Sequence, residues 1–281
     1  MPLSTEPPSL PPGVGRTALG VARVRAAESR RPDRLFDDPL ARAFVAAAPD
    51  PVTGREELDG AARDLVRWLA VYTAVRTRFY DDHLTAAVAA GCPQVVLVAA
   101  GLDTRAYRLG WPAPVRLFEL DLPEVLAFKQ AVLDAEGAHP GCERAAVRVD
   151  LRADWPAALT GAGLDPGVPT AWLVEGLLVY LTAPEAATLL ERLTALSAPG
   201  SRLACELPSP RDGGRDGADR PHVGGYTDLW QGGLGTGLVP HLQDLGWQVA
   251  THDRADVAAG YGRAAPPSRG SGFVTARRPG T

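Results

Sequence analysis

Four apolar runs in this chain each finish in an acid. Val115–Phe118 leads into Glu119-Leu120-Asp121, Ala146–Val149 into Asp150, Thr170–Val174 into Glu175, and Ser201–Cys205 into Glu206. Carboxylates can accept ribose hydroxyls, hold an ammonium group or take a proton. If the runs are parallel strands, ligands bind outside their carboxyl ends and the four acids converge on one crevice. The bland alternative is that strands end in loops and loops are acidic. Against it, the first three acids fall where a nucleoside and then an amino-acid moiety would lie in sequence.

The stretch QVVLVAAGLDTRAYRLGWPAPVRLFELD, Gln94 to Asp121, organises the rest. Val95-Val96-Leu97-Val98-Ala99 is short and rich in β-branched residues, as suits a strand buried on both faces of a parallel sheet. It ends in Ala99-Ala100-Gly101, where small residues let the backbone approach a ligand. The second strand ends in acid about twenty residues later, the arrangement in which a carboxylate takes ribose hydroxyls. The glycine pattern is not the dinucleotide fingerprint, because only Gly101 sits in the turn. Asp103-Thr104-Arg105 follow where a pyrophosphate would need a bare helix N-terminus. Asp103 would repel a diphosphate and tolerate a cation, which points to S-adenosylmethionine, with its sulfonium and ammonium groups, as cofactor.

Positioning these residues requires an alternation of strand and helix, and the chain supplies one. Residues 1–15 read as a disordered, Pro- and Ser-rich lead-in with no signal peptide, and 16–281 as a single domain. Within it, 16–90 would form a helical cap over the sheet's carboxyl edge: a helix over Thr17 to Arg31, a second in which Asp38 caps Pro39, and one or two helices from Asp59 to Ala90 carrying Trp68, Tyr72, Arg76, Arg78 and Tyr80. Residues 91–281 would form an α/β core with right-handed crossovers. Pro123, Pro156 and Pro184 each open a helix. Pro208 to Tyr226, rich in Pro, Gly, Asp and Arg, reads as a mobile loop near the site or an insert. Helices near Leu238 to Leu245 and Asp256 to Tyr261, and strands over Trp247 to Thr251 and Gly272 to Ala276, complete the chain.

Composition removes other chemistries. At 281 residues and 29.6 kDa the chain can bury a sizeable core. A formal net charge of −4 argues against nucleic acid or an anionic membrane as partner. Lys129 is the only lysine, so no P-loop exists, and a Schiff base would have one candidate, a residue that reads as surface. Cys92, Cys142 and Cys205 lie far apart with no Cys-x-x-Cys pair, as expected of a reducing cytoplasm without a zinc site. The most apolar window, Thr85 to Ala100, is broken by Gly91, Pro93 and Gln94 and cannot span a bilayer. Gly233 to Gly237 follows no strand and reads as a flexible connection. Thr251 to Arg254 lacks metal-site spacing, and no Gly-x-Ser-x-Gly elbow is present.

Taken together, VVLVAAGLDTRAYRL, FELDLPEVLAFK, VDL and WLVEGLLVYL, with the earlier RLFDDPLA, resemble the leucine carboxyl methyltransferase family. These are class I S-adenosylmethionine-dependent O-methyltransferases that include bacterial members acting on polyketide-type metabolites. The resemblance runs from about Thr17 to Phe273. It implies a Rossmann-like, seven-stranded, mostly parallel α/β sheet with an antiparallel last strand. It further implies that Arg76 holds the cofactor's carboxylate, with Arg78 a neighbour that could exchange roles with it. Gly101 would admit the methionine part, with Asp103 beside it; Asp121 and Glu119 would bind the ribose; Asp150 and Leu151 would bracket the adenine; Glu175 would take the amino group. The family usually has Gly-x-Gly where this chain has Ala99-Ala100-Gly101, which narrows the turn. At the acceptor end the resemblance places Arg25 and Tyr180 where the family's carboxylate-binding lysine and tyrosine fall.

The acceptor's acidity separates the possible oxygens. A carboxylic acid is already ionised at pH 7, so attack on the sulfonium methyl needs alignment and desolvation but no base. A phenol is only about 0.1% ionised, a deficit of roughly 4 kcal/mol that a base would have to offset. His222 and His241 could serve, but neither is well anchored, and no catalytic residue is assigned. The expected reaction is methylation of a small-molecule carboxylate, as in secondary metabolism. A phenol or hydroxyl acceptor, a nicotinamide oxidoreductase and a non-catalytic cofactor binder are the alternatives. Oligomeric state stays open.

Overall fold

A computed structural model describes residues 10, 14–48, 60–207, 230–265 and 270–280. His222, and the loop expected over Pro208 to Tyr226, lie outside the described residues. Seven strands form one sheet: β1 (Gln94–Val98), β2 (Arg116–Asp121), β3 (Glu143–Arg148), β4 (Thr170–Val174), β5 (Arg202–Leu207), β6 (Gln248–Asp253) and β7 (Gly272–Arg277). Their order is β3-β2-β1-β4-β5-β7-β6, with β7 antiparallel to both neighbours and the first five strands parallel. The strand order reverses between β1 and β4. The two strands leave the same edge on either side of that point, which opens the crevice used by ligands in such sheets.

Side-chain alternation along β1 explains why the strand is apolar throughout. Val96 and Val98 point into one core with Phe118, Leu120, Trp172 and Val174, while Val95 and Leu97 point into another with Leu117, Ala171, Leu173 and Phe273. Both sheet faces are therefore covered, each buried Val or Leu contributing about 1.5–3 kcal/mol relative to exposure. The first face carries α6 (Trp155–Gly161), α7 (Ala183–Ala195) and α8 (Leu238–Asp244) through Trp155, Leu159, Leu189, Leu193 and Leu242. The second carries α3 (Gly60–Ala89) and α9 (Arg254–Gly260) through Val75, Tyr80, Leu84, Val88 and Ala258.

Helix starts are written in the local sequence. Asp38 accepts from the Ala41 amide at 3.1 Å and Pro39 opens α2 (Pro39–Ala47). Thr182 and Glu185 form a reciprocal capping box around Pro184 at the start of α7. Asp253 caps α9, which starts two residues before the sequence pattern indicates. The pattern from Asp59 to Ala90 is one unbroken 30-residue helix, α3.

The cap needs correction. Among the described helices, α1 (Val14–Glu28) and α2 pack together outside the sheet layers, through Ala22 and Phe44 on Leu102 and on Phe128 of α5 (Pro123–Ala135), while the one-turn α4 (Arg105–Arg108) joins the second sheet face through Ala106. α3 is part of the core, because its apolar stripe from Val75 to Val88 is what closes the second sheet face. Lys129, expected on the surface, is fully buried on α5 with its Nζ 2.8 Å from Glu119. Glu119 lies on the face of β2 opposite Phe118 and Leu120, and because that face is covered as well its carboxylate is buried and requires a cation.

Candidate active site

The turn after β1 is held by the acid that ends β2. Asp121 Oδ2 accepts from the Gly101 amide at 2.6 Å and Oδ1 from the Leu122 amide at 2.7 Å. Burial raises the Asp121 pKa, with the two amides working against it. Gly101 has φ +51 and Ala99 φ +56, both in the left-handed region. Gly101 adopts it freely; Ala99 does so at a strain of about 1–2 kcal/mol. The Val149 amide donates to the Asp121 carbonyl at 2.9 Å, which seats Asp150 at the rim beside it. Asp150 is paired there with the exposed Arg152, and its pKa is lowered mainly by that hydrogen bond. Leu151 packs against the core edge beneath.

At the switch point, Glu175 lies between two arginines. Its Oε1 is 2.9 Å from Arg76 Nε and its Oε2 accepts from Arg105 Nη1 at 2.8 Å. The Arg76 contact is one of charge: the Nε–H does not point at the oxygen in hydrogen-bond geometry. Burial raises the Glu175 pKa, yet Arg105 and Arg76 outweigh it and the net shift is downward. Arg76 also donates from Nη1 to Glu206 Oε1 at 3.1 Å, and the same oxygen accepts from the Gly176 amide at 2.7 Å. Burial dominates at Glu206, whose pKa is raised. Arg105 donates to Asp81 at 2.7 Å and pairs with Asp103, and Arg108 donates to both Asp81 oxygens at 2.6 and 2.7 Å. A chain of alternating charge thus runs Glu206, Arg76, Glu175, Arg105, Asp81, Arg108 across the sheet's carboxyl edge.

Of the residues singled out from sequence, the structure brings Arg76, Gly101, Asp121 and Glu175 to the carboxyl ends of β1, β2 and β4, with Asp150 at the rim. Four other assignments change. Glu119 is fully buried beneath this edge, held by Lys129 and Arg144 at 2.8 Å each, so it does not face a ribose. Asp103 is neutralised by Arg105; burial would raise its pKa, but Arg105 and neighbouring cations bring it down to about 2. Arg25 is buried, donating to Asp38 at 2.8 Å, Thr104 at 3.2 Å and the Leu102 carbonyl at 2.6 Å, so it braces the β1 turn and does not await a carboxylate. Arg78 is turned away, donating to Asp82 at 2.9 Å and the Leu35 carbonyl at 2.9 Å, which removes it as an alternative to Arg76.

Tyr180 closes a 3-10 turn, Leu178–Tyr180, just beyond β4 and is half-buried. The amides of Gln231 and Gly233 donate to the carbonyls of Val179 and Leu181 at 2.8 and 2.9 Å. A Cβ at Gly233 would lie 2.5 Å from the Leu178 carbonyl oxygen. The glycine segment is therefore docked on the turn through close backbone approach, where a flexible connection was expected. Arg105, Asp81 and Glu206 complete the charge chain and were not assigned roles from sequence. The available signal was the acid pair Asp81-Asp82 within a turn or two of Arg76 and Arg78 on α3, with Asp81 turned inward.

The donor set suits S-adenosylmethionine: a carboxylate and a permissive turn for the nucleoside, and an adjacent cation and anion for the amino-acid part. Among the described residues no group of three or more His, Cys, Asp or Glu could hold a metal ion, and no helix is long and apolar enough to cross a membrane.

Comparison with known proteins bears on the family and the fold. The leucine carboxyl methyltransferase family matches residues 18–194. A candidate S-adenosyl-L-methionine-dependent methyltransferase from Parafrankia sp. is 50% identical over 272 residues, 95% of this chain and 87% of the relative. A protein of the same description from Streptomyces avermitilis is 45% identical over 262 residues, 92% of each chain. The crystal structure of a candidate methyltransferase from Thermobifida fusca superposes with a TM-score of 0.53 at 18% identity, covering 96% of this chain and 98% of the other. At that identity the likeness concerns the fold alone.

Proposed function

Because this chain belongs to the leucine carboxyl methyltransferase family, we propose that it moves the methyl group of S-adenosylmethionine onto an oxygen of a small molecule, a carboxylate before a hydroxyl. The class of enzyme, an S-adenosylmethionine-dependent methyltransferase, follows from the family and the relatives. The oxygen, the acceptor and the residue roles are the proposal. The observation that carries it is the Arg76–Glu175 pair, 2.9 Å apart beside the Gly101–Asp121 turn. Asp121 would take the ribose hydroxyls, Asp150 and Leu151 would flank the adenine, Arg76 would receive the cofactor's carboxylate and Glu175 its ammonium group. Tyr180 would border the acceptor.

When bound, the cofactor supplies an electrophilic methyl on a sulfonium. The protein's task is to align the acceptor oxygen in line with it and exclude water. A carboxylate acceptor needs no proton removed, and among the described residues none of the hydrogen bonds or ion pairs of Arg76, Asp121, Glu175 or Glu206 goes to a histidine. A hydroxyl acceptor is the second reading, favoured by Glu206: its Oε1 carries both contacts, leaving Oε2 without a hydrogen bond among the described residues, and its raised pKa suits proton uptake. The proposed setting is a reducing cytoplasm, in keeping with three free cysteines, and the proposed acceptor is a small metabolite of polyketide type.

The test is incubation with methyl-labelled S-adenosylmethionine and a panel of aromatic acids and phenols. A labelled product that mild base hydrolyses is an ester and supports the carboxylate. A base-stable ether selects the hydroxyl reading, and label on nitrogen or carbon alone contradicts both.

A further inference from the structure

A ligand that is both carboxylate and ammonium cannot enter between Arg76 and Glu175 unless the two separate. Separating a buried ion pair leaves each charge without its neighbour, which a dry site penalises heavily. The structure gives each member a second partner on its far side, through different atoms. Arg76 uses Nε toward Glu175 and Nη1 toward Glu206, 3.1 Å away. Glu175 uses Oε1 toward Arg76 and Oε2 toward Arg105, 2.8 Å away. Both outer partners are themselves fixed. Glu206 is held by the Gly176 amide at 2.7 Å, and Gly176 has φ +64, with a position for a Cβ only 3.6 Å from Arg76 Nη1. Arg105, almost fully buried, is held by Asp81 at 2.7 Å, by Asp103 and by the Thr77 carbonyl at 3.4 Å.

Resting on the assignment of Arg76 and Glu175 to the two ends of the cofactor's amino-acid part, we propose that Glu206 and Arg105 are positioning residues: they keep Arg76 and Glu175 paired and aimed while the ligand's own carboxylate and ammonium replace the direct contact. Binding is then an exchange of one ion pair for two, with no charge orphaned at any stage. Neither residue touches the cofactor, and their effect passes through Arg76 and Glu175. The exchange concerns only the amino-acid part of the ligand. A nucleoside thioether lacking that part binds without opening the pair, so it is insensitive to the outer partners.

The experiment is isothermal calorimetry on the full chain with two ligands, S-adenosylhomocysteine and 5′-deoxy-5′-methylthioadenosine. Glu206→Gln keeps an oxygen for the Gly176 amide and removes only the charge. The expected result is about a tenfold loss of S-adenosylhomocysteine affinity with methylthioadenosine affinity unchanged. Equal losses for both ligands, or no loss for either, overturn the inference. Glu206→Asp retains the charge on a shorter stem and is expected to lose less S-adenosylhomocysteine affinity than the glutamine variant. If Glu206→Gln does not fold, the aspartate variant carries the same two-ligand comparison, and equal effects on both ligands overturn the inference. Failure of the underlying assignment looks different: wild type then shows no preference between the two ligands, and Arg76→Ala leaves their ratio unchanged.

Discussion

Asp121 Oδ2 sits 2.6 Å from the amide nitrogen of Gly101, so the acid that ends β2 shapes the turn that ends β1. The carboxylate proposed to bind ribose is also a structural strut, and its loss acts on both properties. Hydrogen bonds to a charged group are worth about 1.5–3 kcal/mol each. Asp121→Ala removes two of them, from Gly101 and Leu122. The expected outcome is a destabilisation of about 3–6 kcal/mol in urea unfolding, together with loss of S-adenosylhomocysteine binding. Asp121→Asn, which keeps an acceptor oxygen, is expected to recover part of the stability and little of the binding.

Ala99 occupies the left-handed region at φ +56, where the family pattern has glycine. Relief of that strain, about 1–2 kcal/mol, competes with the extra chain entropy glycine brings to the unfolded state, about 0.4–1 kcal/mol. Ala99→Gly is therefore expected to be neutral to stabilising, by up to about 1 kcal/mol. Ala99→Val, β-branched at the same φ, is expected to destabilise by about 2 kcal/mol or more. A thermal melt of the two variants beside wild type checks both signs.

Acid should loosen the charge chain in a definite window. Asp103 is held at about 2 in the fold, against an ordinary value near 4, so the unfolded chain binds the proton first as pH falls. Its contribution, on the order of 2 kcal/mol, is fully present above about pH 5 and is lost progressively toward pH 2. Glu175, also lowered, acts in the same direction. Glu206 is raised, so it opposes folding when ionised, and protonation relieves that cost on the acid side. Urea unfolding of Asp103→Asn between pH 3 and 7 is expected to show lower stability at pH 7, a shallower fall with acid, and a gap to wild type that narrows toward pH 3 without closing there, because the folded-state pKa is about 2.

The alternation of apolar strands and proline-opened helices was readable because buried parallel strands are continuously apolar and helix starts carry local capping chemistry, as at Asp38 and Thr182. Asp121 and Glu175 were readable because each is the last residue of its strand or the one just after it. Glu119 was misjudged because it shares the sheet face of Asp121 but lies two residues deeper in β2, away from the carboxyl edge, where that face is covered and Lys129 and Arg144 neutralise it. Arginine roles were the least legible. Arg25, Arg76, Arg78 and Arg105 all lie near the turn or on α3, and their sequence does not say which acid each will meet. That is decided by how α1 and α3 pack, which sets Arg25 against Asp38 and Arg105 against Asp81 across large sequence separations.

The central claim is that the Arg76–Glu175 pair receives the amino-acid part of S-adenosylmethionine. Calorimetric titration of S-adenosylhomocysteine into wild type and Glu175→Gln measures it most directly. Binding in the micromolar range, weakened about tenfold or more by the single substitution while methylthioadenosine binds both proteins equally, is the predicted result. Tight S-adenosylhomocysteine binding that is indifferent to Glu175 would contradict the account.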